Sequence, residues 1–192
     1  MTIGGGDGDV DRLTEVYEAH ASAVAAYVLR RAPAADAPDA VAETFMVAWR
    51  RRDVLPPEPD TLPWLYGVAR RVVANQRRSD RRRSELSDRL RAGFVGHGID
   101  PPSLDEIEDL HRVARAMKAL SDDDAEILRL ASWEELRPAE IATALGIGTG
   151  AVRQRLHRAR RRLRDKLDED ESTPFHFTTR REERRCSTNS TN

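Results

Sequence analysis

The sequence predicts an all-α protein: two small helical domains joined by a flexible linker. Three observations predict it. Apolar residues recur at helical rather than alternating spacing along most of the chain. That pattern fades once, where Gly93, Gly96, Gly98, Pro101 and Pro102 crowd into ten residues. Charge also alternates in blocks, hidden within a net charge of −1 over 192 residues. Residues 1–60 hold 6 basic and 11 acidic groups, 61–100 hold 9 and 4, 101–140 hold 5 and 11, and 141–167 hold 8 and 1.

Each element follows from its own pattern. Residues 10–31 place Val10, Leu13, Tyr17, Val24 and Val28 at helical spacing. Residues 36–52 carry Ala37, Val41, Phe45, Ala48 and Trp49 on one stripe, with Phe45 and Trp49 expected in the core. Asp53–Thr61 contains Pro56, Pro57 and Pro59, which excludes helix and predicts a stiff loop. A third helix over 62–78 carries Leu62, Leu65, Tyr66, Ala69, Val72 and Val73. After the interruption, 105–119 places Ile107, Leu110, Val113, Ala114 and Met117 on a fourth helix. Ser121 is the expected N-cap of a fifth, with acids at 122–124 where the helix dipole favours them. Pro138 suits the first position of a helix running to about Leu145, and Gly146 ends it. The last helix runs from Thr149 to about Leu167. The boundaries are 10–92 for the first domain, 93–104 for the linker and 105–167 for the second. A polar tail at 168–192 is expected to be disordered.

Composition excludes several classes. Hydrophobic residues are 39% and charged residues 34%, against about 45–50% and about 25% in typical soluble domains. No stretch approaches the roughly 20 apolar residues of a membrane span. The start, MTIGGGDGDV, lacks the basic and apolar regions of a secretory signal. Cys186 is the single cysteine, so an intramolecular disulfide is excluded and a cytoplasmic location expected. The five histidines have no metal-ligand spacing, and neither a phosphate loop nor a nucleophile elbow occurs. No metal, cofactor or catalytic residue is expected.

The strongest local signal is PAEIATALGIGTGAVRQRLHRAR at 138–160. A short helix, a Gly-containing turn and a second helix with Val152, Leu156, Ala159 and Leu163 inward make a helix-turn-helix pattern. The outward face then carries Arg153, Gln154, His157, Arg158 and Arg161. Gln and Arg read base edges bidentately, and further arginines hold phosphates. A second basic segment, TLPWLYGVARRVVANQRRSDRRR, sets Trp64 and Tyr66 beside Arg70, Asn75, Arg77 and Arg78. These could stack bases along a phosphate path, or Trp64 could be core and the arginines merely solvated; core is the preferred reading for Trp64. Asp39 and Glu43 lie one helical turn apart, on a solvated or partner-facing acidic face.

Two segments together carry a family resemblance. DAVAETFMVAWRR (39–51) followed by LPWLYGVARRVVANQRR (62–78) resembles region 2 of bacterial RNA polymerase sigma factors. LSDDDAEILRLASWEELRPAEIATALGIGTGAVRQRLHRARRRLRDKL (120–167) resembles region 4. The absence of a large domain between them is similar to the extracytoplasmic-function group.

The resemblance implies a three- or four-helix region 2 and a helix-turn-helix region 4, acting with core RNA polymerase, through its β′ clamp helices and β subunit, on promoter DNA. Asp39, Glu43 and Arg50 would contact the clamp helices. Trp64, Arg70, Asn75, Arg77 and Arg78, with loop 53–61, would read and melt the −10 element. Thr149, Arg153, Gln154, His157, Arg158, Arg161 and Arg162 would meet the −35 element. An anti-sigma factor is a further possible partner. Two departures from the family pattern stand out: Gly148 and Arg137 occupy positions where a Ser or Thr cap is usual, so the helix from Pro138 is expected to start weakly. Two rival functions remain at this stage: a stand-alone helix-turn-helix regulator, and a sigma-mimicking adaptor that binds an anti-sigma factor.

Overall fold

The computed structural model describes residues 6–84 and 104–171. Among them the order is α1 Gly6–Leu29, α2 Ala37–Arg50, a 3₁₀ turn at Arg52–Val54, α3 Thr61–Ser84, α4 Leu104–Lys118, α5 Asp122–Ser132, α6 Pro138–Leu145 and α7 Thr149–Glu171. No strand occurs among the described residues. The linker expected at 93–104 lies outside them apart from Leu104, as does the tail apart from residues 168–171, which continue α7 rather than begin a disordered segment. α3 likewise runs past residue 78, through an Arg-rich stretch of good helix propensity.

α1, α2 and α3 pack on one another. α2 buries mainly small side chains, Ala37, Ala40, Thr44 and Ala48, with Phe45 as its large anchor. α3 buries Leu65, Tyr66, Val68, Ala69, Val72 and Val73. The stripe on α1 sits differently from the sequence pattern: Val16, Val24, Tyr27 and Val28 are buried, whereas Val10 and Tyr17 are exposed. Trp49 is a second correction. It is exposed, with the Arg52 guanidinium 5.6 Å from its ring, because Phe45 and Ala48 already fill the space beneath α2. Between α2 and α3 the Pro-rich segment is pinned as a stiff loop. Leu55 is buried, Arg12 donates to the Leu55 carbonyl at 3.0 Å, and the Thr61 hydroxyl donates to the Pro56 carbonyl at 2.9 Å.

The second helical set is built around Ile127, Leu130, Ile141, Val152, Leu156 and Ala159. Ser121 caps α5 as expected, its hydroxyl accepting from the Asp124 N–H at 3.2 Å. α6 is well started despite Arg137. Pro138 occupies its first turn, and the Glu140 carboxylate reaches back to accept from the Arg137 N–H at 2.7 Å. This half of a capping box anchors the helix start through the Arg137 N–H, a different group from the N–H that a Ser or Thr cap would satisfy. Gly146 ends α6 at φ 67°, a left-handed conformation that glycine adopts freely.

The patterns separate two helical sets, and in the structure those sets are in contact. α6 lies against α3, and the Tyr27 ring of α1 stacks on Tyr66 of α3 with centroids 4.8 Å apart. The Tyr27 hydroxyl donates to Glu126 of α5 at 2.7 Å. Arg31, just after α1, donates to Glu126 at 3.0 Å and to Glu134, just after α5, at 2.8 Å. Arg30 also pairs with Glu134.

Candidate nucleic-acid interface

α7 is amphipathic by construction. Val152, Leu156 and Ala159 are buried against α5 and α6. The turn before it is closed by the Gly146 N–H donating to the Ala142 carbonyl at 2.8 Å. The Gly148 carbonyl then accepts from the Val152 N–H at 3.1 Å, so Gly148 serves as the helix start. Facing away from the core, Arg153, Gln154, His157, Arg158 and Arg161 are exposed, and Thr149 is half-buried at the helix start. Among the described residues Arg153, Arg158 and Arg161 form no ion pair. Arg162 differs: it pairs with Asp124 at the start of α5. Six of the seven expected −35 residues thus share one accessible helix end, and the seventh is tied to the body of the fold.

α3 presents a different surface. Trp64 is half-buried and packs against the core, as its preferred reading expects. Arg70 pairs with Asp123 at 2.9 Å. Arg77 donates to the carbonyl of Arg31, and Arg78 to the side-chain oxygen of Asn75. A groove between α3 and α5 is lined by Arg70, Arg71, Arg77 and Arg78 on one side and by Asp122, Asp123 and Glu126 on the other. The expected −10 residues therefore split: Asn75, Arg77 and Arg78 are exposed, whereas Arg70 already has a carboxylate partner and Trp64 is partly enclosed.

On α2, Asp39, Glu43 and Arg50 are all exposed, and Glu43 and Arg50 form an ion pair at 2.8 Å. Sequence reading missed what lies beside them. Tyr17 of α1 and Met46 and Trp49 of α2 are exposed and line one apolar groove with Leu13, Val41 and Phe45. The Tyr17 ring meets Phe45 edge-on at 4.8 Å.

Burial and charge shift several groups. Burial, reinforced by the negative Glu126, pushes the Tyr27 hydroxyl well above its ordinary pKa. Burial pulls Arg31 down, but Tyr27, Glu126 and Glu134 outweigh it and the net shift is upward. Burial lowers Arg129. The hydrogen bond from Arg137 lowers Glu140. The shifted pair at Tyr27 and Arg31 belongs to the contact between the helical sets. No described helix is long and apolar enough to cross a membrane.

Comparison with known proteins agrees with this geometry. Residues 16–83 match the Sigma-70 region 2 family and residues 110–163 the Sigma-70, region 4 family. The ECF RNA polymerase sigma factor SigL of Mycobacterium tuberculosis is 33% identical over 159 residues, covering 80% of this chain and 88% of its own. The ECF RNA polymerase sigma-E factor of Escherichia coli is 29% identical over 153 residues, covering 75% and 80%. Among solved structures, the sigma factor RpoE of Bartonella quintana, in complex with the anti-sigma factor NepR, has a TM-score of 0.62 at 25% identity, covering 82% of this chain and 97% of that one.

Proposed function

The chain belongs to the sigma-70 family of RNA polymerase sigma factors, in the extracytoplasmic-function group, and from that premise we propose how its surfaces divide the work. As a sigma factor it acts with core RNA polymerase in promoter-directed transcription initiation. The observation that carries the finer reading is the exposed Arg153–Arg158 face of α7 over its buried Val152, Leu156 and Ala159.

α7 enters the major groove of the −35 element. Arg153, Gln154, His157 and Arg158, near its N-terminus, reach base edges, Thr149 flanks them, and Arg161 and Arg162 meet phosphates. On α3, Asn75, Arg77 and Arg78, with Arg70 and Trp64, line the −10 path beside the rigid loop 53–61. A protein that holds single-stranded −10 DNA better than duplex shifts the equilibrium toward the open complex by that difference in affinity, without catalysis. α2 docks on the β′ clamp helices through Asp39, Glu43 and Arg50, with Met46 and Trp49 supplying apolar area beside them. Charge reversal of Asp39 and Glu43 together is expected to weaken binding to a clamp-helix fragment by about 1–3 kcal/mol; unchanged affinity contradicts this docking.

The proposal extends to the β subunit as a second polymerase contact and to a cytoplasmic setting. It also includes an anti-sigma partner, on the precedent of the Bartonella protein, which has one. The test is run-off transcription with purified core polymerase and a genomic promoter library. Transcripts that start downstream of a shared two-part motif are expected. Tight core binding with no transcript contradicts the reading and favours the adaptor.

A further inference from the structure

The loop between α2 and α3 is built of acceptors. From residue 53 to 69 the chain carries Asp53, Glu58 and Asp60 but no lysine or arginine. Pro56, Pro57 and Pro59 have no N–H to donate. The N–H groups of Val54, Leu55 and Asp60 already donate to the carbonyls of Arg51, Arg52 and Pro57, and the Thr61 hydroxyl donates to that of Pro56. Arg12 of α1, which reaches the loop, is engaged by the Leu55 carbonyl. A phosphate oxygen can only accept, so this loop is ill suited to hold a DNA backbone. What it can recognise is a donor.

Two of the three carboxylates stand at helix starts, which favour negative charge. Asp53 lies in the 3₁₀ turn, and Asp60 directly precedes α3, where its carbonyl accepts from the Trp64 N–H at 3.0 Å. Glu58 begins no helix. It lies between Pro57 and Pro59 with its side chain 61% exposed, and His20 of α1, only 14% exposed, meets its Oε1 at 2.8 Å. A carboxylate only accepts, so His20 Nε2 is the donor. A pair this open to water adds little to stability. Its effect is to fix where the Glu58 carboxylate stands, with Oε2 turned over to an incoming group.

We propose that Glu58, positioned by His20, reads one unpaired base of the −10 element and selects a base that carries an exocyclic amino group over thymine. Cytosine and adenine each present an amino donor, and guanine presents two adjacent N–H donors. Thymine has a single N–H set between two carbonyl oxygens, which a carboxylate repels. Glu58 is thus the specificity-determining group, and His20 is a positioning residue that acts through it. The inference rests on the reading of loop 53–61 as part of the −10 surface, made above.

The experiment is run-off transcription with core polymerase and the full chain on a promoter library. Its −10 element is randomised beside a fixed −35 element from an active genomic promoter. The native chain is compared with Glu58→Gln, His20→Ala, His20→Gln and the double variant Glu58→Gln/His20→Ala. In the native chain thymine is expected to be disfavoured about five- to tenfold at one −10 position, the lower range for a direct base contact. Glu58→Gln, whose amide both donates and accepts, is expected to remove that bias and leave the other positions unchanged. His20→Ala is expected to weaken the same bias, His20→Gln to restore it by keeping a donor, and the double variant to match Glu58→Gln. The absence of any position that disfavours thymine, or a bias that survives Glu58→Gln, overturns the inference and, where other −10 preferences persist, leaves the −10 reading standing. A randomised −10 element that changes nothing in the native chain faults that reading itself. A further loss in the double variant overturns the positioning role of His20. Should Glu58→Gln make no transcript, binding of the same holoenzymes to premelted promoter duplexes carrying each base in turn is read in the same way.

Discussion

α3 and α7 are the two long arginine-rich helices of this molecule, 24 and 23 residues, and they keep their arginines in opposite ways. α7 buries one narrow stripe and leaves Arg153, Arg158 and Arg161 exposed. α3 buries a broad face, and its Arg70 and Arg77 are bonded within the fold. Similar composition thus yields one surface ready for a polyanion and one already half answered by carboxylates. Arginine count locates candidate nucleic-acid helices; only the partners of each guanidinium tell which surface is open.

The largest expected effect lies on the covered side. Arg31→Ala removes the guanidinium that Glu126 and Glu134 share where both are nearly buried, leaving Glu126 to Arg129 at 3.7 Å and Glu134 to Arg30. A loss of about 3–5 kcal/mol in denaturant unfolding is expected. A loss below about 1 kcal/mol, typical of a surface pair, would mean that this contact is not buried in solution and would erase the contrast.

On the open side, Arg153→Ala and Arg158→Ala are each expected to cost about 1–3 kcal/mol on the preferred −35 sequence and to relax discrimination at particular bases. Arg161→Ala weakens all sequences alike and lowers the salt slope by about one unit. Arg162→Ala gives the smaller slope change of the two, because Asp124 already neutralises it. Binding of the full chain to promoter variants at several salt concentrations separates these cases. Uniform losses at Arg153 and Arg158 would reduce α7 to an electrostatic anchor.

Alkaline pH sharpens the contrast further. The fold favours the protonated Tyr27, whose pKa is raised. Its contribution is therefore complete below the ordinary tyrosine pKa of about 10 and lost as pH rises above it, by up to about 1.4 kcal/mol per pH unit. Thermal melts across that range are expected to show the slope in the native chain and less of it in Tyr27→Phe; identical slopes would place Tyr27 in water. The smallest effect is at α6. Glu140→Gln is expected to cost about 0.5–1 kcal/mol. Because the Glu140 pKa is lowered, this contribution is present above the ordinary glutamate pKa and fades as pH falls through the lowered value. Acid melts of Glu140→Gln and native chain should therefore converge.

Much of this was legible in the sequence, for physical reasons. The helix-turn-helix rests on local chemistry, a Pro start, a left-handed Gly and a periodic apolar stripe, and each is written in adjacent residues. The same holds for the Ser121 cap and the stiff loop before Thr61. What was not legible depends on residues far apart in the chain. The partners of Arg31 lie 95 and 103 positions away, and nothing in RRAP or in WEEL announces the pairing. Trp49 read as core because its spacing from Phe45 fits a stripe; the small residues of α2 and the approach of α1 and α3 decide otherwise. Gly67 passed unnoticed, since a lone glycine inside a helical pattern has no local meaning until the facing backbone, here the Ala144 carbonyl of α6, is known. Arg137 misled in the opposite direction, because its own side chain cannot cap but Glu140 three residues on does so.

The contrast between the two helices is tested most directly by arginine-selective labelling of the free, unmodified chain with phenylglyoxal, read residue by residue by mass spectrometry. Arg153 and Arg158 are expected to react fast, Arg70 more slowly, and Arg31 least of all. On this account, adding core polymerase and promoter DNA protects Arg153 and Arg158. Equal reactivity of Arg31 and Arg158 in the free chain would contradict it.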